Sequence, residues 1–201
     1  MIASTEVGKY VIALGAKTST PGGGAAAAIT GAQTSALVEM VCQFTGNNET
    51  AIAPILLRAQ RLGQKMLELG DDDVSCFNAL MSTYKLPRST EAEKSKRTES
   101  IQSSLIAAAT VPINVIKLIN DLIPDIQYLV ANGNQNLITD VAIAASLCQS
   151  TLTSSRFNVL INLKHIHDQT FKEDALAILD TIPVKLQLLQ TIIDEVTEQL
   201  S

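Results

Sequence analysis

The sequence predicts an all-α protein, an antiparallel bundle of about five or six long helices, some of them kinked at proline. Three observations predict it. Apolar residues recur at the helical period almost throughout; Leu189, Ile192, Ile193, Val196 and Leu200, for example, fall on one stripe of a single helix. No alternation of apolar and polar residues bounded by turn residues marks a strand. The interruptions are helix punctuation: glycine–asparagine runs, prolines and a capping box.

A first helix is predicted over about Thr5 to Ala16, ending in a Ser, Thr, Pro and Gly-rich turn from Lys17 to Gly23. A second follows over about Gly24 to Phe44, stopped by Gly46-Asn47-Asn48. Its first turns carry only Ala25 to Ala28, Gly31, Ala32, Ser35 and Ala36, which suits a tight helix crossing or the approach of a flat ligand. A third spans about Thr50 to Tyr84, with a kink expected near Gly70. After the Leu86-Pro87-Arg88-Ser89 loop, Thr90 and Glu93 have capping-box spacing. The fourth helix then runs to about Ala131, bent at Pro112 and Pro124 and stopped by Asn132-Gly133-Asn134. A fifth covers about Leu137 to Ser154. The stretch from Arg156 to His167 gives no clear pattern. Asp168 caps a last helix reaching Gln199, kinked at Pro183. No repeat and no linker appears, so residues 1–201 read as one domain.

Composition narrows the function classes. With 46% hydrophobic and 17% charged residues the chain is not intrinsically disordered. Aromatic residues are 3% and the net charge is −5, which argues against nucleic-acid binding. Cys42, Cys76 and Cys148 are scattered and odd in number, as expected of reduced thiols in a cytoplasmic protein. The N-terminal segment lacks the pattern of a signal peptide. Polar residues within Gly22 to Phe44 make that stretch look too polar for a membrane span. A mean hydropathy of +0.21, with helices apolar over more than one face, points to a homodimer with its site at or near the interface.

Four features bear on chemistry. Gly22, Gly23 and Gly24 open the second helix, where bare N–H groups suit an anion or a carbonyl oxygen and glycine permits positive φ; a plain tight turn explains them equally. Asp71-Asp72-Asp73 is a run of like charges in which mutual repulsion raises a pKa toward proton-transfer range, with Phe77 one turn beyond Asp73 on its face; a solvated acidic patch is the alternative. Lys94, Lys96 and Arg97 could hold an acidic tail or be surface charge balanced by nearby glutamates. Asn158 and Asn162, four apart in an apolar run, share a helical face and could read a heterocycle or bridge helices. His165 and His167 are the only histidines, which disfavours a metal site and a serine triad.

Pro21-Gly22-Gly23-Gly24 before an Ala-rich helix, Asp73 with Phe77, Leu86-Pro87, Arg97-Thr98 with Gln102, Gly133-Asn134 with Thr139-Asp140, and Asn158 to Leu163 occur in one order. This ordered set resembles the cyclodeaminase family: the C-terminal domain of formiminotransferase-cyclodeaminase and its stand-alone bacterial relatives, including methenyltetrahydrofolate cyclohydrolases. The resemblance implies an all-α fold, assembly through dimers and folate bound near the subunit interface. It implies ring closure of 5-formiminotetrahydrofolate to 5,10-methenyltetrahydrofolate with release of ammonia, or the related cyclohydrolase reaction, neither needing a metal or organic cofactor. It makes Asp73 the catalytic residue and Gly22, Gly23, Gly24, Arg97, Gln102, Asp140, Asn158 and Asn162 the substrate contacts. The chain departs from the family pattern at Ala25, where serine is common, at Gly46-Asn47-Asn48-Glu49, where lysines are common, and mildly at Thr139. A catalytically silent helical scaffold is the reading from another class.

Overall fold

The computed structural model describes residues 1–46 and 51–201. Its helices are α1 (Val7–Leu14), α2 (Gly23–Thr45), α3 (Ile52–Thr83), α4 (Glu91–Asn120), α5 (Ile123–Asn132), α6 (Ile138–Leu163), α7 (Gln169–Leu179) and α8 (Ile182–Gln199), with 3-10 turns at Ile2–Ser4 and Gln135–Leu137. Among the described residues there is no strand. Counting α4–α5 and α7–α8 each as one bent rod gives six rods, the all-α bundle the periodicity predicts.

The boundaries differ from expectation in three places. Pro124 and Pro183 do not bend a continuous helix: each sits in the first turn of a new one, α5 and α8, where the missing proline N–H has no partner to lose. Of the three predicted proline kink sites, Pro112 alone lies in a helix interior. Helix α6 continues through the stretch that gave no pattern, to Leu163, so Asn158 and Asn162 are helical. Helix α3 runs unbroken through Gly70. The Thr90–Glu93 capping box and the Asp168 cap both form. The predicted stop at Asn47-Asn48 lies outside the described residues.

Helix α2 is the centre, packed on α3 and α6 with α4 and α5 beside it. Its small residues serve the tight crossing. A methyl group at Gly63 would sit 3.3 Å from the Ser35 Cβ, and one at Gly70 would sit 3.8 Å from the Ala28 Cβ. Ala25, Ala28 and Cys42 are 0% exposed. The apolar core continues through Met66, Ile116, Ile126, Leu152 and Leu189. All three cysteines are free thiols. Burial pushes the Cys148 thiol up to about 12 and, with lesser help from Asp125 and Glu39, the Cys42 thiol up to about 11, so both stay protonated.

By length and mean hydropathy alone, three helical stretches would reach across a bilayer: Gly23–Thr45, Glu91–Asn132 and Gln169–Gln199. The expectation that its polar residues exclude the second helix from that class is therefore corrected. Helix α2 owes its hydropathy to core residues such as Val38, Val41 and Cys42 as well as to its alanines, of which Ala25, Ala27 and Ala28 are buried.

Candidate active site

Successive helical residues point about 100° apart, and α3 uses this to give three adjacent aspartates three settings. Asp71 accepts a hydrogen bond from the Ile2 N–H at 2.7 Å and so ties down the N-terminal turn. Asp72 is exposed, in a shallow groove with Lys65 and Lys117. Asp73 turns toward α2 and is half-buried; its Oδ2 accepts from the Ala25 N–H at 2.9 Å. Burial pushes the Asp73 carboxyl above the ordinary carboxylate range, and the Ala25 hydrogen bond only partly opposes it. The upward direction agrees with the sequence argument, but the cause does not: desolvation, not repulsion within the aspartate run, raises it.

The glycine turn has a similar correction. Gly22 caps α2 in an extended conformation, φ −130° and ψ −159°. Among the described glycines only Gly46 has positive φ. The turn therefore needs glycine for room. A Cβ at Gly24 would overlap the Asp73 carboxyl group, so Gly24 is what lets that carboxylate reach the helix N-terminus. A Cβ at Gly23 would stand 3.7 Å from Asn158 Oδ1, an ordinary contact. The anion at this helix terminus is thus the chain's own. The departure at Ala25 leaves the contact intact, because the main chain makes it.

These groups enclose a cavity of about 340 Å³. The glycine turn forms one side, Asp73 and Phe77 of α3 the next, Asn158 and Asn162 of α6 a third, and Pro112 of α4 closes it. Asn158 gives one N–H to the Ser154 carbonyl at 3.0 Å, and Asn162 gives one to the Asn158 carbonyl at 2.8 Å. Each amide keeps its carbonyl oxygen and its second N–H, a donor and an acceptor toward a heterocycle. Among the described residues no lysine or arginine lines the cavity.

The structure thus gathers Gly22, Gly23, Gly24, Asp73, Asn158 and Asn162, and leaves three predicted contacts outside. Gln102 spends its amide on the main chain, donating to the His165 carbonyl at 2.9 Å and accepting from the His167 N–H at 2.7 Å. It fastens the α6–α7 connection to α4. Arg97 donates to the Tyr84 carbonyl at 3.1 Å and lies over the Tyr84 ring, 5.9 Å from its centroid, outside the cavity wall. Asp140 sits in the first turn of α6, where a carboxylate favours the helix dipole. It lies eighteen residues before Asn158, roughly 27 Å along the axis. Lys94 pairs with Glu91 at 2.6 Å on the surface, the charge-balanced alternative for the basic cluster.

Sequence reasoning missed Tyr84, His165 and Tyr10. Tyr84 lines the cavity eleven residues after Asp73, on the same helical face as Phe77, so periodicity carried that signal. His165 lines it from just beyond α6, in the stretch that gave no pattern. Tyr10 of α1 has a buried hydroxyl with no partner among the described residues; burial first, then the Asp73 charge, pushes its phenol up. No sequence signal joins residues 63 apart. Among the described residues no group of three or more His, Cys, Asp or Glu side chains is arranged to hold a metal ion.

Known proteins share this arrangement of chain. A crystal structure of formiminotetrahydrofolate cyclodeaminase from Thermotoga maritima superposes with a TM-score of 0.86 at 29% identity, covering 100% of this chain and 99% of that one. Methenyltetrahydrofolate cyclohydrolase of Methylorubrum extorquens is 32% identical over 182 residues, 88% of each chain. Formimidoyltransferase-cyclodeaminase of Rattus norvegicus is 32% identical over 170 residues, 82% of this chain but 31% of the longer rat protein. Residues 6–181 match the Formiminotransferase-cyclodeaminase family, and the chain belongs to it.

Proposed function

We propose that the protein is a folate one-carbon enzyme that closes 5-formiminotetrahydrofolate to 5,10-methenyltetrahydrofolate and releases ammonia. The observation that carries this reading is Asp73: a carboxylate half-buried against a helix N-terminus, raised by desolvation, on the wall of a cavity lined by no lysine or arginine among the described residues. N10 attacks the formimino carbon and forms the new C–N bond. Asp73 takes the N10 proton. The bond to the imino nitrogen then breaks, the electron pair leaves with nitrogen, and the departing amine carries a proton away as ammonia. A carboxyl group whose pKa is raised toward working pH serves such transfers well. The methenyl carbon carries positive charge, which an anionic wall stabilises. Asn158 and Asn162 would hold the pterin edge, and the reaction needs no metal or organic cofactor.

Cyclohydrolysis of 5,10-methenyl- to 10-formyltetrahydrofolate is the second reading, supported by the near full-length likeness to the Methylorubrum protein. The methenyl chromophore decides. Its appearance from 5-formiminotetrahydrofolate supports the first reaction. Accelerated decay of added 5,10-methenyltetrahydrofolate supports the second. No change in either leaves a silent helical scaffold. We place the protein in the cytoplasm and as a homodimer, with no membrane or nucleic-acid partner. The dimer is supported by Val7, Val11 and Ile12 on α1 and by Phe157 and Ile161 beside the cavity, all more than half exposed. Light scattering that showed a monomer would remove the dimer.

A further inference from the structure

Three titratable residues line the cavity among the described residues: Asp73 of α3, Tyr84 at the C-terminal cap of α3, and His165 from the α6–α7 connection. Of these residue types, histidine is the one that takes up and gives back a proton near neutral pH. His165 is also held in place. Gln102 grips the main chain on both sides of Ile166, at the His165 carbonyl (2.9 Å) and the His167 N–H (2.7 Å). The His165 N–H closes on the Asn162 carbonyl at 3.0 Å, continuing the last turn of α6 below the two asparagines. Ile166, between the two histidines, is 2% exposed and anchors the segment in the core. A connection pinned at four points is a rigid mount for an exposed side chain at a cavity rim.

We propose that His165 is a second catalytic residue, giving a proton to the departing amine while Asp73 takes the one from N10. The proposal rests on the cyclodeaminase reading. Starting from the protonated formimino group, N10 attacks carbon, and its proton passes to the Asp73 carboxylate. The imidazolium then protonates the amino nitrogen, and the C–N bond breaks with its electron pair on nitrogen. Ammonia leaves, and the positive charge of the formiminium group remains on the methenyl product. Asp73 then returns its proton to water and His165 takes one up, so turnover is proton-neutral. Splitting the work suits the two settings. Asp73 is half-buried beside Ala25, whereas His165 is exposed and can exchange with solvent.

The titratable residues that share the cavity lining with His165 are Asp73 of α3 and Tyr84 at its C-terminal cap; Arg97 of α4 lies over the Tyr84 ring, and Lys164, His167 and Asp168 flank His165 in its own connection. From α4 the wall is apolar, Leu105 and Pro112. The test compares wild type with His165→Gln, His165→Ala and, as control, His167→Gln. If the proposal holds, kcat for 5-formiminotetrahydrofolate falls at least about tenfold in both His165 variants while KM stays within about twofold. Free imidazole restores part of the loss in His165→Ala, and His167→Gln behaves as wild type. Gln102→Leu, which unpins the mount, also lowers kcat, without rescue by imidazole. A rise in KM at unchanged kcat would make His165 a ligand contact and overturn the proposal, as would unchanged kinetics. Wild type inactive toward the substrate sinks the cyclodeaminase reading itself, whereas active wild type with unaffected His165 variants sinks this inference alone.

Discussion

Two aspartates in this molecule are drawn out of water and meet different partners there. Asp125 of α5 is 4% exposed and is met by Arg58 of α3 in a bidentate pair, both hydrogen bonds 2.7 Å. Among the described residues Asp73 meets no guanidinium. Its named partner is one main-chain N–H, and the rest of its environment is desolvating or open cavity. A buried carboxylate with a fitted cation is neutralised and structural. One desolvated without a cation holds its proton more readily and is available for transfer. The comparison teaches that depth alone does not set a carboxylate's acid–base behaviour; the presence or absence of a counter-charge does.

The comparison breaks first at Asp73 itself. Asp73→Asn keeps shape and the Ala25 hydrogen bond but cannot cycle a proton, so turnover should fall by on the order of 10²-fold or more. Folate affinity, measured by fluorescence titration, should hold, because the loss lies in the transition state. Gly24→Ala tests the same carboxylate by displacement. The new methyl group occupies its place, and turnover should drop by up to about 10²-fold, the scale of a catalytic group moved by an ångström. Gly23→Ala should cost far less; equal losses would mean that the turn binds ligand directly.

Arg58→Met should do the reverse. It leaves Asp125 buried without its cation and should destabilise the fold by about 2 kcal/mol in urea unfolding, below the value for a fully buried pair because the Arg58 side chain is 36% exposed. Specific activity of the folded variant should be unchanged. Asp73→Asn, in contrast, should leave stability level or slightly raised at neutral pH.

The smallest effect is the pH-dependence of that stability difference. A carboxyl raised in the folded state contributes stability that is fully present below its unfolded value and lost as pH rises through the folded one. Wild type should therefore lose ground to Asp73→Asn as pH climbs from about 4 to the raised Asp73 value, and run parallel above it. Asp71→Asn should show nearly normal turnover, since Asp71 ties down Ile2. Equal losses of activity in Asp71→Asn and Asp73→Asn would end the assignment of Asp73.

The fold was readable because helix periodicity and caps are local. Thr90 and Glu93 need nothing beyond their own turn to form a capping box. Where reading failed, the deciding interaction was remote. Nothing near Pro124 or Pro183 says whether proline bends a helix or starts one; that depends on where the next helix must pack. For the site, local signals located the glycine turn, Asp73 and the asparagine pair. The family resemblance, not spacing, ranked Asp73 above its two neighbours. Gln102, Arg97 and Asp140 are ligand contacts only by resemblance, because a polar residue in a family motif looks alike whether it faces substrate or main chain. Only the positions of His165, Tyr84 and the two ends of α6 separate those cases.

The Asp73–Ala25 hydrogen bond joins residues 48 apart in sequence. Neither α2 nor α3 alone raises the Asp73 carboxyl; the burial that does so arises when the glycine end of one helix closes over the aspartate of the other. Asp73 is thereby a built-in gauge of tertiary assembly. In a compact state that kept its helices but lost their docking, its titration would relax to that of an ordinary aspartate while far-UV circular dichroism barely changed. The acid–base behaviour of a single side chain would then report the order in which this bundle comes together.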